Sequence, residues 1–425
     1  MNDRIRNLSS LRDQFPSLQQ LDEAGRPYVY FDGPGGTQVP QGVIDAMTLY
    51  FQRANANCGG PFITSRRNDE IIAQARSAMA DFLNAGSEKE IIFGANMTTL
   101  TFNISRAIGR MLQPGDEIIV TQLDHDANIS PWLALEEKGI VIKWADFNVN
   151  DCRLDIDHLS SLLSQKTRLV AVGYASNAVG TINPIKKIAA MAHAVNATVW
   201  VDAVHFAPHG AIDVQDIDCD FLVCSAYKFF GPHVGVMWGK MDLLEKLPAY
   251  KVRPANPNPP HKFETGTLNH EGVAGVIAAV DYLAELGRKY GKDANLKNTN
   301  LNNYTGRRKL LKQAMATIAA YEQPLFSYMT SELGKIPGIR MYGLLNPNEF
   351  SERCPTLAFI RQGYTPEAIA RKLAEQGIFV WHGNYYALAV TQRLGVEDSG
   401  GMVRVGLAHY NTKEEVDRFL ATLAD

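Results

Sequence analysis

Two residues at the ends of apolar runs carry the strongest chemical signal in this chain. Lys228 closes the segment Ser225-Ala226-Tyr227-Lys228, behind the run Phe221-Leu222-Val223-Cys224 and ahead of a Gly231-Pro232 turn. A buried strand that delivers a lone amine into a loop is an unusual use of lysine, which normally stays solvated. Desolvation makes such an amine available for Schiff-base formation. The plainer alternative is a lysine that snorkels out of a strand end. Asp202 tips the balance, because it ends a second apolar run, Thr198-Val199-Trp200-Val201-Asp202. An acid and an amine at strand termini are the parts needed to hold pyridoxal 5'-phosphate (PLP). The acid partners the pyridinium nitrogen and the lysine forms the imine.

Other residues join them at strand ends. Phe93-Gly94-Ala95-Asn96-Met97-Thr98-Thr99 reads as a strand, a short loop and a helix start. Backbone N–H groups there, with the hydroxyls of Thr98 and Thr99, suit a phosphate; taken alone, they read equally as an ordinary N-cap. His125, in Leu123-Asp124-His125-Asp126-Ala127-Asn128, offers an imidazole plane that can stack on a flat cofactor or simply cap a turn. Asn177 follows another strand, and His205 lies three residues beyond Asp202. Arg404, flanked by apolar residues, has a guanidinium fork suited to a substrate carboxylate. A structural ion pair is the alternative for it.

Positioning these residues requires alternating helices and strands from about residue 70 to 290. Helical periodicity covers 69–83, 98–111, 130–138, 157–163 and 184–195. Apolar, β-branched runs cover 90–93, 117–120, 141–144, 168–173, 198–202, 221–224 and 234–238. Such runs predict a mainly parallel sheet covered on both faces, with ligands outside the carboxyl ends of its strands. A Pro- and Asn-rich loop spans 254–260, a helix 275–286, and a break 292–298. A long helix over 307–333 leads to a smaller C-terminal unit. That unit has strands at 356–360, 377–381 and 402–406 and a helix at 366–376.

Composition is that of a soluble globular enzyme: 425 residues, 46% hydrophobic and 20% charged. A formal net charge of −3 gives no electrostatic case for nucleic acid or an anionic membrane. No apolar run approaches the roughly 20 residues of a membrane span. Residues 1–6 lack the apolar stretch of a signal peptide, and a cytoplasmic location is expected. The five cysteines, Cys58, Cys152, Cys219, Cys224 and Cys354, form no zinc-ligand set, and no metal is expected. Cys58 lies in a turn-rich stretch and is the one candidate for a reactive thiol.

In combination the motifs resemble the fold-type I PLP enzymes of aminotransferase class V, particularly the cysteine desulfurase and selenocysteine lyase branch. They are Asp124 to Asn128, Ser176 to Gly180, Val201 to His205, Ser225 to Lys228, and Glu-Thr-Gly-Thr from Glu264 to Thr267. The resemblance implies an α/β fold with a seven-stranded, mainly parallel sheet, helices on both faces and a smaller C-terminal α+β domain. It divides the chain into an N-terminal segment (1–32) packing on the small domain, a large PLP-binding domain (33–290) and the small domain (291–425).

It also implies roles. Lys228 is the Schiff-base lysine, Asp202 pairs with the ring nitrogen, and His125 stacks on the ring, making these the catalytic set. Thr98, Thr99, Ser225 and Tyr227 hold the phosphate. His205 and Asn177 sit near the phenolic oxygen, and Arg404 with Asn177 binds the substrate carboxylate. Thr267 reaches the neighbouring subunit's phosphate, which implies a homodimer. Arg66, Arg67, Trp381, His382 and Tyr385 are expected in the pocket from their loop positions.

The chain departs from the desulfurase pattern at three places. Tyr227 stands where histidine is common, and His205 where glutamine is common. Tyr386, in Asn384-Tyr385-Tyr386-Ala387, stands where the resemblance expects the sulfur-accepting cysteine. The leading expectation is therefore a PLP-dependent C–S lyase acting on cysteine or a cysteine-derived amino acid. A class V aminotransferase and a non-catalytic protein retaining the PLP fold are the alternatives.

Overall fold

The computed structural model describes residues 5–293 and 301–424. Residues 1–4 of the chain start and 294–298 of the expected break lie outside them. The strands are β1 (Val29–Tyr30), β2 (Ile91–Gly94), β3 (Glu117–Thr121), β4 (Val141–Ala145), β5 (Thr167–Gly173), β6 (Thr198–Asp202), β7 (Phe221–Ser225), β8 (Gly235–Gly239), β9 (Ile339–Tyr342), β10 (Thr356–Arg361), β11 (Ile378–Phe379), β12 (Trp381–Gly383) and β13 (Met402–Gly406).

Seven of them form the central sheet in the order β2-β8-β7-β6-β5-β3-β4. All are parallel except β8, which runs antiparallel to both its neighbours. The sequence explains the burial. Every residue of β7 and β8 is buried, and in β5 only Arg168 is exposed. Strand alternation sends Val170, Val172, Val199 and Val201 to one hydrophobic core and Leu169, Ala171 and Trp200 to another. The two cores are the two helix-covered faces expected of a parallel sheet.

The smaller sheet is antiparallel, in the order β12-β13-β10-β9. The helix Gly306–Leu333 connects the two units. Its Leu311, Met315 and Ile318 pack into the large core, while Phe326, Met329 and Leu333 pack into the small one. Pro324, inside that helix, removes one backbone hydrogen bond near the handover.

Two sequence expectations need correction. The run 377–381 is not one strand. It breaks at Val380, so that β11 pairs in parallel with β1 and β12 pairs with β13. The stretch 130–138 is α-helical only over Ser130–Leu133 and tightens into a 3-10 turn, Ala134–Lys138, that ends at left-handed Gly139. The N-terminal segment serves both units. Val29 and Phe31 enter the small core, and Leu8, Leu11, Phe15 and Leu18 enter the large one.

Candidate active site

Four adjacent parallel strands end at one edge of the sheet, and each delivers a side chain there. β7 leads to Lys228, β6 ends in Asp202, β5 leads to Asn177, and β3 leads to Asp124 and His125. These residues line one cavity of about 1180 Å³ between the sheet edge and the small domain, which contributes Arg404 from β13.

Lys228 ends a short 3-10 turn, and its Nζ donates to the Pro34 carbonyl. Burial, then the nearby Arg404 guanidinium, push its pKa down to about 7, against the pull of Asp202 and Asp32. A large share of the amine is therefore neutral near pH 7. Asp202 moves the other way. Burial raises its carboxyl to about 7, although the Val204 N–H (2.8 Å) and Lys228 favour the anion. A buried acid of this kind gains a counter-charge when a cationic ring nitrogen meets it.

Asp124 is the tie that shapes the His125 loop. It accepts from the Thr121 hydroxyl (2.9 Å), the Asn128 amide (2.7 Å) and the Gly173 N–H (2.9 Å). His125 then takes the Ala127 N–H on its Nδ1 at 3.0 Å, which defines that nitrogen as an acceptor. Burial, followed by the charges of Lys228 and Arg404, drops its pKa to about 3, so the ring is neutral. Tyr386 stacks on it at 5.6 Å.

The phosphate end is built by backbone. Gly235 of β8 sits between Gly94 and Ser225. A Cβ on Gly235 would lie 2.4 Å from the Asn96 backbone, so only glycine lets the helix Met97–Ile108 start against the sheet. Asn96 caps the Thr99 N–H at 2.8 Å, and the Met97 N–H donates to Ser225 Oγ at 3.1 Å. The Thr98 N–H keeps no protein partner among the described residues and lines the cavity. Tyr227 lines it too, stacked on His233, and burial keeps its phenol protonated.

Whether these residues fit PLP is tested by the polar atoms they leave unmatched. Asn177 Oδ1, His205 Nε2 and Arg404 Nε are buried without hydrogen bonds, and all three residues line the cavity. Burial and the neighbouring His209 keep His205 neutral. Buried polar atoms are rarely left unpaired, so a converging set of them marks a ligand's place. A neutral amine, a buried acid, an imidazole plane and a helix N-terminus complement the aldehyde, ring nitrogen, ring face and phosphate of PLP. The residues fit the cofactor.

Thr99 and Thr267 are placed elsewhere. Thr99 is exposed outside the lining, and Thr267 lies on an exposed loop. That loop is tethered through Glu264, which takes a two-point Arg76 pair (2.8 and 2.7 Å) and the Phe93 N–H (2.9 Å). Of the pocket candidates, Trp381, His382 and Tyr385 line the cavity. Arg66 and Arg67 do not; they donate to the Pro61 and Arg53 carbonyls. Cys58 is also outside, against His270 (3.6 Å) and Asn68 (3.4 Å), with its thiol pKa raised by burial.

Sequence reasoning missed Asp32. Burial raises its pKa to about 6, one oxygen is unpartnered, and Arg404 and Lys228 pull toward the anion. Its signal was present: Tyr30-Phe31-Asp32-Gly33-Pro34 is an apolar run ended by an acid and a turn, the same signature that marked Asp202.

Comparison with known proteins identifies the family and the fold. The aminotransferase class-V family profile matches residues 29–305 and 307–419. A cysteine desulfurase of Synechococcus elongatus is 33% identical over 98% of this chain, which spans 63% of that relative's length. A probable cysteine desulfurase of Synechocystis is 34% identical over 98% of this chain and 94% of its own. Among solved structures, a cysteine desulfurase from Escherichia coli superposes with a TM-score of 0.81 at 28% identity, covering 98% of this chain and 97% of the other. A structure described as a C-DES mutant with glycine covalently linked to the PLP cofactor has a TM-score of 0.76 at 21% identity, covering 97% of this chain and 99% of the other, a likeness of fold. The chain belongs to the aminotransferase class-V family of PLP-dependent enzymes.

Proposed function

We propose that the protein is a PLP-dependent C–S lyase acting on cysteine or a cysteine-derived amino acid. The observation that carries this reading is the cavity lining, which contains no thiol among the described residues. Tyr386 occupies the loop position where a sulfur-accepting cysteine is expected. Cys152, Cys219, Cys224 and Cys354 are buried in the fold, and Cys58 lies outside the cavity. Sulfur expelled from a substrate then has no enzyme thiol to receive it and leaves to solvent.

When bound, PLP supplies the electron sink that makes the α-proton removable. The chain's own residues do the rest. Arg404 offers its free Nε to the substrate carboxylate, while its Nη1 is fixed on the Asn177 carbonyl at 3.0 Å. The Tyr385 ring lies 4.4 Å from the guanidinium carbon, and its hydroxyl is anchored on the Met402 carbonyl. The guanidinium is thereby pre-oriented. Lys228, with a pKa near neutrality, accepts the α-proton as a general base. The Cβ–S bond breaks with its electron pair on sulfur, which takes a proton. One water is consumed, and the products are the thiol or sulfide, pyruvate and ammonium.

The test is incubation of the holoenzyme with cysteine, cystine and S-substituted cysteines, with assay of pyruvate and released thiol or sulfide. No keto acid from any of them would sink the reading. A class V aminotransferase, favoured by His205, differs in its product: its keto acid keeps the sulfur. Retention of full biological activity by Lys228→Ala would instead support a non-catalytic role. A homodimer belongs to the same proposal. It is supported by Ile44, Leu49 and Phe51 on the helix Gln41–Arg53, and by Phe62 and Ile63, all exposed.

A further inference from the structure

The cavity lies just above the usual size range of small-molecule pockets. Pockets for drug-sized ligands run to about 300–1,000 Å³, and this one reaches about 1180 Å³. Two large aromatic side chains line it while remaining exposed: Trp381 at 52% and Tyr386 at 74%. Neither is loose. A Cβ on Gly35 would lie 2.4 Å from the Trp381 indole nitrogen, so the indole is seated directly on Gly35. The neighbouring Pro34 carbonyl holds Lys228 Nζ. The indole therefore lies one residue from the group that binds the reacting amine.

Tyr386 is held at the mouth by its backbone. Its φ of 58° follows a φ of 56° at Tyr385, and two successive non-glycine residues in the left-handed region are strained. The Asp126 N–H on the Tyr386 carbonyl (2.7 Å) and Asn384 Oδ1 on the Tyr386 N–H (3.1 Å) maintain that conformation. The ring stacks on His125. Charge narrows the ligand further. Lys228 and Arg404 serve the α-carbon and its carboxylate, while Asp126, Glu367 and Glu397 also line the cavity and disfavour a second anion.

Resting on the lyase reading above, we propose that the substrates are cysteine S-conjugates with an uncharged aromatic or bulky apolar group on sulfur, held against Trp381 and Tyr386. The reaction breaks the Cβ–S bond. The thiolate leaves with the electron pair and is protonated, and the carbon skeleton with one water becomes pyruvate and ammonium. No oxidant or reductant is required.

The experiment compares S-benzyl-, S-methyl- and S-carboxymethyl-cysteine as substrates of the holoenzyme. It also measures calorimetric binding of S-benzyl- and S-methyl-α-methylcysteine, which lack the α-proton and cannot be cleaved. The benzyl compounds are expected to be favoured about tenfold over the methyl ones in kcat/KM and in affinity, the size of one good aromatic contact. The carboxymethyl substrate is expected to be the poorest. Trp381→Ala and Tyr386→Ala should bring kcat/KM and analogue affinity for the benzyl compounds down to the level of the methyl ones, while Trp381→Phe should keep most of the preference. Equal kcat/KM across the three substrates, or equal binding of the two inert analogues, overturns the proposal and leaves the lyase reading standing. Preferential benzyl-analogue binding that Trp381→Ala abolishes, with no pyruvate from any substrate, supports the pocket and overturns the lyase reading.

Discussion

Lys228 and Asp202 are both pushed toward their neutral forms by the same burial, in opposite directions along the pH scale. Lys228 falls to about 7 and Asp202 rises to about 7. For the amine, the consequence is kinetic. Only the neutral form attacks an aldehyde, so uptake of PLP by the cofactor-free protein should rise with pH through about 7 and then level off. An ordinary lysine would keep the rate climbing toward 10.5. Stopped-flow absorbance across that range checks this, and a continued climb past pH 9 or so would refute it.

For the acid, the consequence is thermodynamic. Its folded pKa lies above the ordinary 3.8, so the folded state binds more protons than the unfolded chain between those values. The contribution of Asp202 to the stability of the cofactor-free protein is greatest below that window and falls as pH rises through it. Asp202→Asn should flatten the fall in thermal midpoint between about pH 5 and pH 8. An unchanged slope would show that Asp202 is not the titrating group.

At the scale of elements, the phosphate end depends on how closely a helix start approaches a strand. Gly235→Ala would force the Asn96 backbone away from β8 and carry the Thr98 N–H with it. Cofactor affinity should fall about tenfold or more, read by spectrophotometric titration, with a smaller loss for binding of pyridoxal that lacks the phosphate. Equal losses for both would place the damage elsewhere than the phosphate end. Most of the elements that build this edge were legible in the sequence, because strands buried on both faces read as unbroken apolar runs. Strand β11 was not legible as a separate element. Its two residues take their identity from pairing with β1, almost the whole chain away.

For the whole molecule, the large apolar side chains exposed on the helix Gln41–Arg53 and at Phe62 and Ile63 predict self-association. Light scattering should give a dimer mass, and Phe51→Glu with Phe62→Glu should lower it to that of one chain. A monomer of the unaltered protein would refute the expectation. Thr267, exposed and outside its own chain's cavity, could serve a neighbouring site only within such a dimer.

The chain's sequence by itself determined the cofactor and singled out the lysine, acid, imidazole and arginine that line one cavity. Lys228 and Asp202 stand at the ends of apolar runs, His125 just beyond one and Arg404 within one, and a polar residue set against such a run is a local pattern. The tertiary structure decided what surrounds them. The Pro34 carbonyl reaches Lys228 across 194 residues, Asp32 joins Arg404 by lying alongside β13, and Trp381 finds its seat on Gly35. Cys58 was placed the same way, against His270 and Asn68 and outside this chain's cavity lining. Contacts between distant segments depend on how strands pair and helices dock, and no local run of residues encodes that.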